Sequence, residues 1–149
     1  MLGPWHLEDI APGVTREWSS DRRVVIFRLT DYKREAIDAW IAGIENTIVM
    51  ADRPRLLVYH FAAIPPSLSV YYLQQKFRQL DAYATEQLGK SEEPIAHTYI
   101  AVVPPWQFAS LANFIIGRQA AVRRKFGLTV QAFGTLEDAL EWLVSQDDN

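Results

Sequence analysis

VVIFRLTDYKREAIDAWIAGIENTIVMADRPRLLVYHF, residues 24–61, decides the fold. Val24 to Leu29 is a short apolar run with the composition of a strand. Thr30 and Asp31 are suitable helix N-caps, and from there Ile37, Trp40, Ile41, Ile44 and Ile48 recur at helical spacing, so a helix with one buried stripe runs to about Met50. Asp52, Arg53, Pro54 and Arg55 end it. Leu56 to Phe61 is then a second apolar run, of the kind found in strands covered on both faces. Strand, crossover helix and buried strand make a parallel pair.

Working outward toward the N-terminus, Ser19 to Arg23 is a polar turn and Val14 to Trp18 a further strand, so these two strands should pair antiparallel with Val24 to Leu29 as the second of them. Ala11, Pro12 and Gly13 break off a lead segment, and residues 1–10 are expected to be a terminus. Toward the C-terminus, Pro65, Pro66 and Ser67 form a rigid turn into a second helix. Its stripe is Leu73, Phe77, Leu80, Ala84 and Leu88. Gly89 to Pro94 is a polar break, and His97 to Val103 is a strand that Pro104 and Pro105 terminate.

A third helix is expected from about Trp106 to Phe126, closed by Arg123, Arg124 and Lys125 in its last turn and Gly127 beyond it. Thr129 to Phe133 reads as the last strand. Thr135, with Asp138 three residues on, caps a final helix whose stripe includes Leu136, Ala139, Leu140 and Leu143. The expected fold is α/β: one domain over residues 1–149, with a mixed five-stranded sheet, antiparallel at its N-terminal strand and largely parallel thereafter, and about four helices. Residues 147–149 form a short polar tail.

The chain has 149 residues, a net charge of -3 and no cysteine. An acidic balance lacks the positive field that nonspecific phosphate binding needs, so nucleic acid is excluded as a first reading. Disulfides, thiolate metal sites and cysteine catalysis are excluded outright. No run approaches the ~18 uncharged apolar residues of a membrane span, and the start lacks a secretory signal, so a cytoplasmic location is expected.

The ending Phe133-Gly134-Thr135-Leu136-Glu137-Asp138-Ala139-Leu140-Glu141-Trp142-Leu143, together with the order of elements, resembles the STAS domains, in particular the SpoIIAA-like group labelled STAS/SEC14. The resemblance covers nearly all of the chain. It implies a STAS-type sheet, protein contacts that are regulatory in character and, through the SEC14 part of the label, a pocket for an apolar or amphipathic small molecule. In sporulation-type members a serine after the middle parallel strand is phosphorylated by a partner kinase. Here the matching turn is Pro65-Pro66-Ser67-Leu68-Ser69-Val70, with Leu68 at the phosphoserine position, Ser67 and Ser69 on either side, and Val70 in place of the glycine.

In open α/β sheets, ligands gather beyond the carboxyl ends of the parallel strands. The candidate ligand-binding residues there are Tyr32, His60, Ser67, Ser69, Trp106 and Gln107, which combine aromatic walls with hydrogen-bonding groups. His60 ends an apolar strand and could titrate near neutrality, but it has no carboxylate or second histidine near it in sequence, which favours a structural or solvent-edge role over a catalytic base. Ser67 and Ser69 follow a Pro-Pro pair, where a serine commonly caps a helix. No nucleophile elbow, orienting acid, metal-ligand spacing or cofactor motif is recognisable, so the expected function is non-enzymatic, with no metal and no cofactor.

Phe108, Leu111, Ala112, Phe114, Ile115 and Ile116 spread around much of the third helix. Such a helix in so small a protein meets either a second surface or a neighbouring helix. Homodimerisation, with Trp106, Phe114 and Ile115 at the contact, is the reading that fits protein contacts as the function.

Overall fold

A computed structural model describes residues 3–48, 54–63, 65–89, 97–104 and 128–147. The elements in order are β1 (His6–Ala11), β2 (Val14–Trp18), β3 (Val24–Leu29), α1 (Arg34–Ile48), β4 (Leu56–Phe61), α2 (Ser67–Gly89), β5 (Thr98–Val103), β6 (Leu128–Ala132) and a C-terminal helix, α3 (Leu136–Asp147). All the described strands join one sheet in chain order, β1-β2-β3-β4-β5-β6. The β1–β2 and β2–β3 pairs are antiparallel, and β3 through β6 are parallel. The α/β class and mixed sheet therefore match the expectation read from residues 14–61.

Among the described residues the sheet has six strands, not five, and residues 6–10 belong to it instead of forming a terminus. The Ala11-Pro12-Gly13 breaker is a hairpin turn with strands on both sides. β1 was illegible because an edge strand has one neighbour and little to bury: four of its residues are exposed, and HLEDIA carries no period-two alternation. Of the expected helices, three lie among the described residues. The helix expected over Trp106 to Phe126 falls outside them.

Alternation along the strands divides the core in two. Val25, Phe27 and Leu29 of β3 with Leu57, Tyr59 and Phe61 of β4 face α1 and α2, and meet Ile37, Trp40, Ile41 and Ile44 of α1 and Leu73, Phe77 and Leu80 of α2. Trp40 is fully buried and stands edge-on to Tyr59 and Phe77, with ring centroids 5.6 Å away in each case, and tilted over Phe61 at 5.2 Å. Each such pair contributes about 0.5–1.5 kcal/mol beyond its area. The described side chains of the helical stripes read from sequence are thus ones that bury; those of Ile48 and Leu88 lie outside the described residues.

The opposite face carries Val24 and Ile26 of β3, Leu56 and Val58 of β4, and Ala101 and Val103 of β5, covered by Ala139 and Leu143 of α3. Trp142 extends this layer over Tyr99 and Phe133, at 5.8 and 5.3 Å between centroids. The cap expected at Thr135 is present: its Oγ1 accepts from the Asp138 N–H at 3.1 Å, and its carbonyl accepts from Ala139.

Candidate functional site

The carboxyl ends of β3 and β4 bring together Tyr32, Ala63 and Ser69. Tyr32 follows β3 and is buried; its hydroxyl donates to the Ala63 carbonyl at 2.6 Å, and its own carbonyl accepts from Ser69 Oγ at 3.1 Å. Burial raises the Tyr32 phenol well above its ordinary value. These two candidate residues therefore spend hydrogen bonds on tying the α1 and α2 entry loops together. Ser67 opens α2, where the Pro66 carbonyl accepts the N–H groups of Ser69 and Val70, so the capping carbonyl comes from the proline. Trp106 and Gln107, like Phe114 and Ile115, expected at a homodimer contact, lie outside the described residues.

His60 is on the other face of the sheet. It alternates with Tyr59 and Phe61, which face α1 and α2, and so shares the α3 face with Leu56 and Val58. Direct register places it in a polar row across four strands: Asp9 opposite Thr15, Thr15 opposite Arg28, and Arg28 opposite His60. Arg28 Nε donates to His60 Nδ1 at 3.1 Å. On its other side, Arg28 Nη1 lies 2.6 Å from Glu17 Oε1, an ion pair too bent to count as a hydrogen bond.

Burial, and then the adjacent guanidinium, push the His60 imidazole down to about 4. With Nδ1 accepting, the neutral ring carries its hydrogen on Nε2. Such a ring is a weak base at neutral pH and the row as built binds to itself, since the Arg28 charge is matched by Glu17. Thr15 Oγ1 is buried without a hydrogen-bond partner among the described residues. It lines an open cavity of about 380 Å³ with Asp9, Gly13 and Thr30, at the β1–β2 turn.

Sequence reading missed Glu17, Thr15 and Arg28. The signal was present in the period of two, which aligns Arg28 with Val24 and Ile26, but the pairing with His60 depends on a register that only the fold supplies.

A third feature is apolar. Leu68 and Tyr71, three residues apart in the first turns of α2, are 88% and 65% exposed. Their neighbour Tyr72 is held instead: its hydroxyl donates to the Asp38 carboxylate of α1, and the Arg34 guanidinium sits 5.0 Å over its ring. Consecutive tyrosines thus have opposite fates, one pinned at the α1–α2 seam and one facing solvent.

Comparison of the chain with protein families, curated proteins and solved structures finds no match. Among the described residues no group of three or more His, Cys, Asp or Glu is placed to hold a metal ion, and no helix is long and apolar enough to cross a membrane.

Proposed function

We propose that this chain is a non-enzymatic STAS-like domain of the SpoIIAA-like kind that works through protein contacts, with a second copy or with a regulatory partner. The observation that carries this reading is the exposed pair Leu68 and Tyr71. Single exposed hydrophobic residues are ordinary, but two large ones side by side at the start of a helix, beyond the carboxyl ends of β3 and β4, form a small apolar contact surface. By the resemblance, this is also the turn through which sporulation-type relatives meet their kinase. Leu68 in place of the phosphorylated serine leaves the surface and removes the switch.

A photo-crosslinking amino acid at position 71, with one at the exposed position 35 as control, tests the reading. Defined protein adducts from position 71 that disappear in the Leu68→Ser background are expected. Equal yields from both positions would sink it.

The cavity at Thr15 favours a second reading, a binding module for an amphipathic small molecule. Its volume of about 380 Å³ falls within the range of small-ligand pockets, and its lining mixes Asp9, Thr15 and Thr30 with Ile10 and Val14. Native against denaturing mass spectrometry distinguishes the two readings: extra mass lost on denaturation supports the module, and a bare chain argues against it.

A further inference from the structure

We infer that β1 is a homodimerisation edge, on which a second copy of this chain pairs antiparallel through its own β1, with Leu7 at the two-fold axis. The inference rests on the protein-contact reading above and gives self-association a surface of its own, distinct from the Leu68–Tyr71 pair.

Among the described residues β1 ends the sheet on one side, so its outer backbone N–H and C=O groups form an edge able to take another strand. Leu7 on this edge is 56% exposed. The regular part of the segment is bounded at both ends. Pro4 has no N–H to give to a ladder, and the β1–β2 register shifts between Asp9 and Ala11. What remains, Trp5 to Asp9, has Leu7 as its midpoint.

Symmetry narrows the pairing further. Two antiparallel copies of one strand are related by an axis perpendicular to the sheet, so directly opposed residues share a face and the axis must pass through a residue. An axis at Glu8 sets Glu8 against Glu8, and one at Asp9 sets Asp9 against Asp9; like charges directly opposed destabilise a sheet. An axis at Ile10 carries the pairing into the irregularity and Pro12. With Leu7 on the axis, two exposed leucines cover each other on the α3 face, where each chain's Leu7 also stands opposite its own Glu17. On the other face, His6 of each copy meets Glu8 of the other, a donor against a carboxylate. Glu8 is already fixed for this by Arg16, whose Nη2 donates to Glu8 Oε2 at 2.7 Å. Trp5 falls opposite Asp9 at either end.

The pairing is short, so association is expected to depend on concentration. Native mass spectrometry and sedimentation over a concentration series of the full chain should show wild type moving from monomer to dimer. Leu7→Lys and Leu7→Glu should each weaken dimerisation by at least about tenfold, through like charges at the axis. An equimolar mixture of the two variants should restore a dimer, now mixed. Thermal melting checks that each variant folds, as an exposed edge position permits.

A wild-type chain that stays monomeric throughout overturns the inference, as does a dimer insensitive to both variants or a mixture that remains monomeric. None of these results bears on crosslinking from position 71, so failure of this edge and failure of the protein-contact reading are separately visible.

Discussion

Arg28 and His60 stand opposite each other on adjacent parallel strands, and the guanidinium Nε–H donates to the imidazole Nδ1 at 3.1 Å. The ring is held neutral by that bond, by burial and by the neighbouring positive charge, and its proton affinity in the folded chain falls to about 4 from an ordinary 6.5. Between these two values the unfolded chain takes up a proton that the folded chain refuses. Stability should therefore be complete above pH 6.5, fall as pH drops toward 4, and level off below it with respect to this group. The full shift corresponds to roughly 3 kcal/mol, and screening of a half-buried ring brings the expected loss to about 1–2 kcal/mol. Urea midpoints at pH 7 and 4.5 test this, because His60→Gln should remove that part of the difference. An unchanged pH dependence in the variant would mean that the folded ring takes up its proton as readily as the unfolded one.

The Glu17–Arg28 pair supplies a second test on the same row. The Glu17 side chain is 13% exposed and the Arg28 side chain 29%, so loss of one partner strands a mostly buried charge. Arg28→Met is expected to cost about 2–4 kcal/mol, whereas the double variant Glu17→Met with Arg28→Met should return to within about 1 kcal/mol of wild type, since an apolar pair removes the desolvation cost along with the attraction. Additive losses in the double-mutant cycle would show that the two side chains do not act as a pair.

Much of this architecture was legible in the sequence, and the boundary between the legible and the hidden is physical. The stripes Ile37-Trp40-Ile41-Ile44 and Leu73-Phe77-Leu80 announce their helices because burial against a sheet demands one apolar face. Likewise Leu56 to Phe61 announces a doubly covered strand. β1 gives no such signal, since an edge strand with exposed faces places few demands on its residues. The candidate site was hidden for another reason. Tyr32, His60 and Ser69 all lie near the carboxyl ends of the strands, but whether they meet depends on the face each one takes. Tyr32 and Ser69 meet beside α2, and His60 lies across the sheet from them. Partners such as Arg28 and Glu17, 32 and 43 residues from His60 in the chain, are set by register, which composition does not encode.

Tyr32 and Ser69 are expected to behave as structural ties. Tyr32→Phe removes the bond to the Ala63 carbonyl and Ser69→Ala the bond to the Tyr32 carbonyl, each for a loss of about 0.5–1.5 kcal/mol. Because both bonds converge on Tyr32, the double variant should lose less than the sum. Chemical denaturation measures this directly. A stability-neutral Tyr32→Phe that changes the co-purifying mass in native spectra would return Tyr32 to the role of a ligand contact.

Gly13 offers the sharpest contrast between two glycines. It sits in the β1–β2 turn at φ +83°, and its carbonyl accepts the Thr30 N–H at 2.8 Å, which fastens the hairpin to the loop between β3 and α1. A Cβ there would lie 2.4 Å from Asp31 Cβ and 3.1 Å from the Asp31 backbone nitrogen. Gly13→Ala thus combines a backbone conformation costly for an L-residue with a clash against main chain, and should lose about 2–4 kcal/mol. Gly134, whose Cβ would meet nothing within 4 Å, is the matched control, and Gly134→Ala should stay within about 0.5 kcal/mol of wild type. Because the turn joins the edge strand to the rest of the sheet, Gly13→Ala should also raise amide exchange in β1 before it does so in β4. Equal melting temperatures for the two alanine variants would show that the hairpin is not clamped to Asp31, and would leave β1 free to swing away from the sheet whose edge it forms.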